Sequence, residues 1–252
     1  YTQPCMVAFA AGVTEVLAEK GIRPEIVAGL SLGEYSALQC AGVFSPATAV
    51  ELVAFRGKAM AQAVQGRSCG MAAILMLGRE ELARCCREAS ALGVVEIANY
   101  NCPTQLVIAG DEAAVARAGE LALEAGAKRV VPLKVSGPFH TSLMAPAGEA
   151  LRERFCQTAF GEMEIPVFFN CKGGPMEPGE TIPELLVRQV QSSVYLEDTI
   201  RAMAAQGVDT IVEIGPGKAL SAFVKKTEKG IRTYAVETAE DVEQLCVALK
   251  GA

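Results

Sequence analysis

The chain has 252 residues, 51% of them hydrophobic and 21% charged, with a net charge of −6. That composition excludes a disordered chain and a global basic field for nucleic acid, and no apolar run reaches the ~18 residues of a membrane helix. Nine cysteines, odd in number and without a C-x-x-C pair, argue for free thiols in a reducing cytoplasm rather than a metal site or a disulfide framework.

The chain opens on Tyr1 rather than Met, and Thr2 to Lys20 reads as a helix ended by Gly21. An α/β domain normally begins with a strand, so an N-terminal piece is expected to be missing. A short apolar strand, Glu25 to Leu30, runs into Gly29-Leu30-Ser31-Leu32-Gly33 and a helix stopped near Gly42. Ser45-Pro46 then opens a helix to about Val64, with Ser as N-cap and Pro in the first turn. From Gly70 the texture changes to strand 71–77, helix 79–89, strands 94–99 and 105–109, helix 111–124 and strand 128–135. The order βαββαβ predicts a small ferredoxin-like domain at 66–135, inserted into a large domain made of 1–65 and 136–252. The remainder alternates: helix 145–156, strand 166–170, helices 182–191 and 196–206, strand 209–214, helix 218–227, strand 232–236 and helix 239–249. Alternation of this kind predicts a parallel sheet with helices on both faces, with reactive groups at the carboxyl ends of its strands.

G-x-S-x-G between a strand and a helix is the pattern of a nucleophile elbow. Ser31 projects from the turn, Gly29 and Gly33 are read as the positions where side chains would collide, and the Leu32 N–H points where an oxyanion would form. The bland alternative is a glycine-rich turn with Ser as an N-cap. A serine needs a base, and the chain has one histidine, His140, in a Gly-Pro turn beyond a strand end. On the helix 46–64, Arg56 falls in the apolar stripe of Ala49, Leu52, Val53, Ala59, Met60 and Ala63. It is paired either with an internal acid or with a substrate carboxylate. Lys225, Lys226, Lys229 and Arg232 form a small basic cluster, read first as a solvated helix end and second as a docking patch for an acidic partner.

These residues lie in segments that resemble the malonyl-CoA:acyl carrier protein transacylases. Gly29 to Leu38 is similar to the family segment G-H-S-L-G-E-Y-S-A-L, with Leu30 where the family has His. Phe55 to Met60 resembles the family's R-G-x-x-M helix, and Asn99 to Gly110 its N-x-N-x-P-x-Q-x-V-I-S-G stretch. Ser136 to Met144 resembles its histidine motif and Glu213 to Lys218 its E-x-G-P-G-K turn. The resemblance runs in family order over essentially the whole chain; the family's N-terminal strand and G-Q-G-x-Q turn are absent from it. It implies a malonyltransferase of fatty-acid biosynthesis. Ser31 would attack malonyl-CoA, His140 would serve as base, Arg56 would pair with the free malonyl carboxylate, and the Gln189 backbone carbonyl would orient the histidine. Phe139 would narrow the pocket against an α-methyl group. No cofactor and no metal are implied; the partners are a coenzyme A thioester and the phosphopantetheine thiol of an acyl carrier protein, and the chain is expected to be a monomer. Two alternatives stand beside this. A serine thioesterase or esterase fits poorly, because 112 residues follow His140. An inactive fragment or docking module is the other.

Overall fold

The computed structural model describes residues 2–135 and 137–250; Tyr1, Ser136, Gly251, Ala252 and the Lys250 side chain lie outside the described residues. Ser136, the first residue of the histidine motif and of the second large-domain segment, is thus not described.

The small unit is built on alternation. Along β2 (Cys69–Leu75), Met71 and Ala73 face one way and Ala72 and Ile74 the other. β3 (Val95–Cys102), β4 (Gln105–Asp111) and β5 (Arg129–Pro132) complete an antiparallel sheet of order β3-β4-β2-β5. That order, with its crossover helices, is ferredoxin-like. The helices α4 (Arg79–Ala89) and α5 (Glu112–Glu124) cover one face, through Leu82, Cys85, Val115 and Leu121. The other face, with Met71, Ala98 and Val107, packs against Phe139 of the large unit. The expected strand 128–135 is shorter as found: the ladder ends at Ala72↔Pro132, one last bond runs from the Leu133 N–H to the Met71 oxygen at 2.9 Å, and Lys134 and Val135 continue beyond it, exposed.

In the large unit, α1 (Thr2–Glu19), α2 (Gly33–Cys40) and α3 (Pro46–Ala63) precede the insertion, with the short strand β1 (Val27–Ala28) between the first two helices. The Ser45 side chain accepts from the Thr48 N–H at 3.1 Å, which starts α3 where the cap residue stands. After the insertion come α6 (Ala145–Phe155), β6 (Val167–Phe169), β7 (Gly174–Pro175), α7 (Ile182–Val190) and α8 (Leu196–Ala205). β8 (Thr210–Ile214), α9 (Ala219–Thr227), β9 (Arg232–Val236) and α10 (Ala239–Lys250) close the chain. The main core joins α2, α3, α6, α7 and β6 through Leu38, Leu52, Leu151, Leu186 and Phe169.

Parallel pairing is present, but in two separate sheets: β1 with β6, and β8 with β9. β8 and β9 have helices on both faces. Val212 and Ile214 pack with Leu17 of α1 and Leu245 of α10, and Ile211 packs with Ile200 of α8 and Val224 of α9. The expected strand 25–30 narrows to Val27–Ala28, because the chain turns out of the ladder at Gly29. β7, antiparallel to β6, has no counterpart in the sequence reading. A Gly-Pro pair reads as a turn, and it is the left-handed Gly173 (φ +68) that folds it back onto β6. Among the described residues no helix is long and apolar enough to cross a membrane, and no three His, Cys, Asp or Glu gather as a metal site.

Candidate active site

The turn between β1 and α2 holds Ser31 at φ +54, in the left-handed region a side-chain-bearing residue seldom adopts. The turn is so tight that it admits only glycine at position 29, where a Cβ would overlap the Gly33 carbonyl and the Glu34 nitrogen. Gly33 is a correction to the sequence reading. A Cβ there would meet nothing within 4 Å and its φ is not positive, so collision does not explain a glycine at that position. Among the described residues no acceptor takes the Leu32 N–H, which lies at the N-terminus of α2 and is free to meet an oxyanion.

His140 sits in a turn at φ +62, ahead of a short 3₁₀ turn, Ser142–Met144, that leads into α6. Its Nδ1 lies 2.9 Å from the Gln189 backbone oxygen, and its Nε2 2.8 Å from Ser31 Oγ. A carbonyl can only accept, so the proton is on Nδ1 and Nε2 is bare. The Ser31 hydroxyl therefore donates to His140. Burial first, then the positive charge of Arg56, pushes the His140 pKa down to about 4, so the ring is neutral at neutral pH.

Arg56 is 1% exposed, among the buried residues Leu52, Val53, Ala59 and Met60 of α3. It donates to Gln3 Oε1 at 2.8 Å, to Ser31 Oγ at 2.9 Å and to Gln189 Oε1 at 3.1 Å, and stacks 5.7 Å from the centroid of the Tyr35 ring. All three acceptors are neutral, and among the described residues Arg56 makes no ion pair; its buried Nε has no partner. The buried Glu34 does not fill that role, because burial pushes its pKa up to about 8 against the opposing pull of the Asn170 N–H and of Arg56. Of the two readings left open by the sequence, the internal ion pair is not found among the described residues. A buried cation without a counter-charge costs several kcal/mol, and an arriving carboxylate removes that cost.

The structure thus brings Ser31, Arg56, His140 and Gln189 onto one point, while Leu32 adjoins it. Phe139 lies at the junction of the two units, packed on Gly137, Val64 and both cores. Three groups were missed. The Gln189 side chain also donates to the Ser31 carbonyl at 2.7 Å. The signal for it was present: a polar residue in the apolar face of α7, with Leu185, Leu186 and Val190. Gln3 shares a helix face with the buried Val7 and Ala10, the same kind of signal. Asn170 accepts from the Ser31 N–H at 2.6 Å, and nothing in its local sequence points to that. In the basic cluster, Lys225, Lys226 and Lys229 are exposed, whereas Arg232 is paired with Asp209 at 3.3 Å.

The chain is similar to known proteins over almost its whole length. The acyl transferase domain family matches residues 1–248. The malonyl CoA-acyl carrier protein transacylase of Bacillus subtilis is 43% identical over 249 residues, covering 98% of this chain and 78% of that protein. The crystal structure of the Streptococcus pneumoniae enzyme superimposes with a TM-score of 0.94 at 45% identity, over 98% of this chain and 81% of the other. A malonyl-transacylase solved in complex with a type II PKS acyl carrier protein gives a TM-score of 0.94 at 38% identity, over 100% and 81%.

Proposed function

This chain belongs to the malonyl CoA-acyl carrier protein transacylases of the acyl transferase family, and from that premise we propose that Ser31, His140 and Arg56 carry its transfer of a malonyl group from malonyl-CoA to an acyl carrier protein. The observation that carries the assignment is a single atom: Ser31 Oγ lies 2.8 Å from the His140 base and 2.9 Å from the buried guanidinium of Arg56.

The free carboxylate of malonyl-CoA displaces the neutral acceptors on Arg56 and pairs with its two-pronged face. Ser31 Oγ attacks the thioester carbon as His140 Nε2 takes the hydroxyl proton. The oxyanion formed lies toward the Leu32 N–H. Its collapse breaks the carbon–sulfur bond, and the coenzyme A thiolate leaves with the proton from His140. The phosphopantetheine thiol of the carrier then gives its proton to His140 and attacks the malonyl-serine carbonyl; collapse breaks the bond to Ser31 Oγ, which leaves with the proton from His140 and regains its hydroxyl. The sequence of steps balances in atoms and electrons without a cofactor or a metal. The Gln189 carbonyl holds the ring throughout, as the 2.9 Å contact with Nδ1 supports. The large catalytic unit comprises 1–65 and 136–252 and the small unit 66–135, with Phe139 at their junction narrowing the malonyl site. The enzyme acts as a monomer in the cytoplasm on a coenzyme A thioester and an acyl carrier protein, and binds neither nucleic acid nor membrane.

Intact-protein mass spectrometry after brief exposure to malonyl-CoA tests this. One added malonyl group is expected, lost again when phosphopantetheinylated acyl carrier protein is supplied. A folded protein that takes up no malonyl group overturns the assignment.

The pH profile is a second check. His140 must be neutral to act, so kcat/KM for acylation is expected to stay level down to about pH 5 and to fall below about pH 4, as the buried ring takes a proton. Pairing of Arg56 with the malonyl carboxylate cancels the positive charge that helps to depress His140, so the limb in kcat is expected at higher pH than the limb in kcat/KM. A kcat/KM limb near 6.5 would mean that burial leaves the base unperturbed.

A further inference from the structure

β1 and β6 stay in parallel register only to the pair Ala28↔Phe168. Beyond it the chain turns through Gly29 into the left-handed Ser31, and the backbone ladder stops. The Gly29 carbonyl and the Ser31 N–H would there lack the partners that a continued strand supplies. Asn170, two residues beyond Phe168, provides both with its side chain. Its Nδ2 donates to the Gly29 oxygen at 2.5 Å, and its Oδ1 accepts from the Ser31 N–H at 2.6 Å. The amide acts as one further rung of the sheet, made by a side chain at the point where the main chain leaves.

Asn170 is itself held firmly. It is 3% exposed. Its own N–H donates to Glu34 Oε2 at 2.6 Å, and its carbonyl accepts from the Tyr195 N–H at 2.8 Å. Glu34 stands in the first turn of α2, so the helix that follows Ser31 also grips the residue that grips the turn before it. The loop is closed: strand, turn, helix and Asn170 fix one another.

We propose that Asn170 is a positioning residue for acyl transfer: its side-chain amide holds the Gly29–Ser31 turn in the conformation that aims Oγ at His140 and the Leu32 N–H at the oxyanion, with Glu34 anchoring it from α2. The inference rests on Ser31 being the nucleophile. Asn170 makes no hydrogen bond to the Ser31 hydroxyl; it acts through the Gly29 carbonyl and the Ser31 N–H. An aspartate tests the two-sided nature of the hold. When protonated it keeps an O–H to donate to Gly29 and an oxygen to accept from Ser31; when ionised it can only accept, and it sets a negative charge against the Gly29 carbonyl. The titratable groups around it are Glu34 from α2, Tyr35 beside it, Arg56 from α3, His140 from its turn, and Cys171 and Tyr195 along the chain.

The experiment measures the rate constant of malonyl-serine formation and the dissociation constant of malonyl-CoA separately, in wild type, Asn170→Leu and Asn170→Asp, from pH 5 to pH 8. Displacement of an attacking group by about 1 Å costs ~10²-fold. Asn170→Leu is expected to lose that much in the rate constant, with the dissociation constant within about threefold of wild type. Asn170→Asp is expected to lose as much at pH 8, and its rate relative to wild type to rise at least ~10-fold by pH 5 as the carboxyl takes up its proton. If Asn170→Leu does not fold, the Asn170→Asp series decides alone. Rates within threefold of wild type, a loss carried entirely in the dissociation constant, or an Asn170→Asp ratio that ignores pH overturns the proposal. A wild-type protein that takes no malonyl group overturns the assignment of Ser31, and this inference with it.

Discussion

Ser31→Ala is expected to abolish the malonyl adduct completely and to lower transfer to the carrier by at least ~10³-fold. The alanine keeps the fold of the turn but removes the oxygen that lies 2.8 Å from His140 Nε2 and 2.9 Å from Arg56. His140→Ala is the instructive partner. It leaves the hydroxyl in place and removes the base, so the adduct should still form, slowed by ~10²–10⁴-fold. Quenched-flow mass measurement distinguishes the two. An adduct that persists in Ser31→Ala would place the nucleophile elsewhere. An unchanged rate in His140→Ala would show that the short contact with Nε2 has no part in proton removal.

Arg56→Ala is expected to cost malonyl-CoA specifically. Removing one member of a desolvated charge pair costs ~2–5 kcal/mol, or roughly 30- to 5,000-fold in kcat/KM. Acetyl-CoA has no carboxylate to pair, so its turnover should be unchanged or faster, and the ratio of malonyl to acetyl turnover should fall. Arg56→Lys should fall between, since a lysine keeps the charge without the planar fork. The same residue carries a stability prediction of opposite sign. Arg56 is buried with only neutral partners, so Arg56→Met, similar in volume and apolar, is expected to raise the unfolding free energy by ~1–4 kcal/mol. Urea unfolding measures this. A more stable protein that no longer accepts malonyl-CoA would show that the cation is kept for its ligand; a less stable one would show that Arg56 holds Gln3, Ser31 and Gln189 together.

Much of the fold was legible because short-range rules produce it. The short apolar run from Met71 to Leu77 marked a strand, and the βαββαβ order then left little choice of sheet. Ser45-Pro46 marked a helix start at the residue where α3 begins. Arg56 stood out because a cation in an apolar stripe breaks the pattern of its own helix. Gln189 and Gln3 broke theirs in the same way, but an uncharged amide in a core is less conspicuous than a guanidinium, and neither side chain was read.

What the chain by itself determined was therefore whatever rests on neighbours a few residues apart: the tight turn at Gly29, the strand before it and the helix after it, and the βαββαβ order of the elements between 69 and 132. What the tertiary structure alone decided was which distant groups meet. Arg56 and Ser31 share a hydrogen bond across 25 positions, Gln189 reaches Ser31 across 158, and Asn170 across 139. The physical reason is that periodicity and steric limits on φ and ψ act within a turn or two of backbone. A contact such as Asn170 with Ser31 depends instead on the parallel register of β1 and β6, which the packing of the whole core selects.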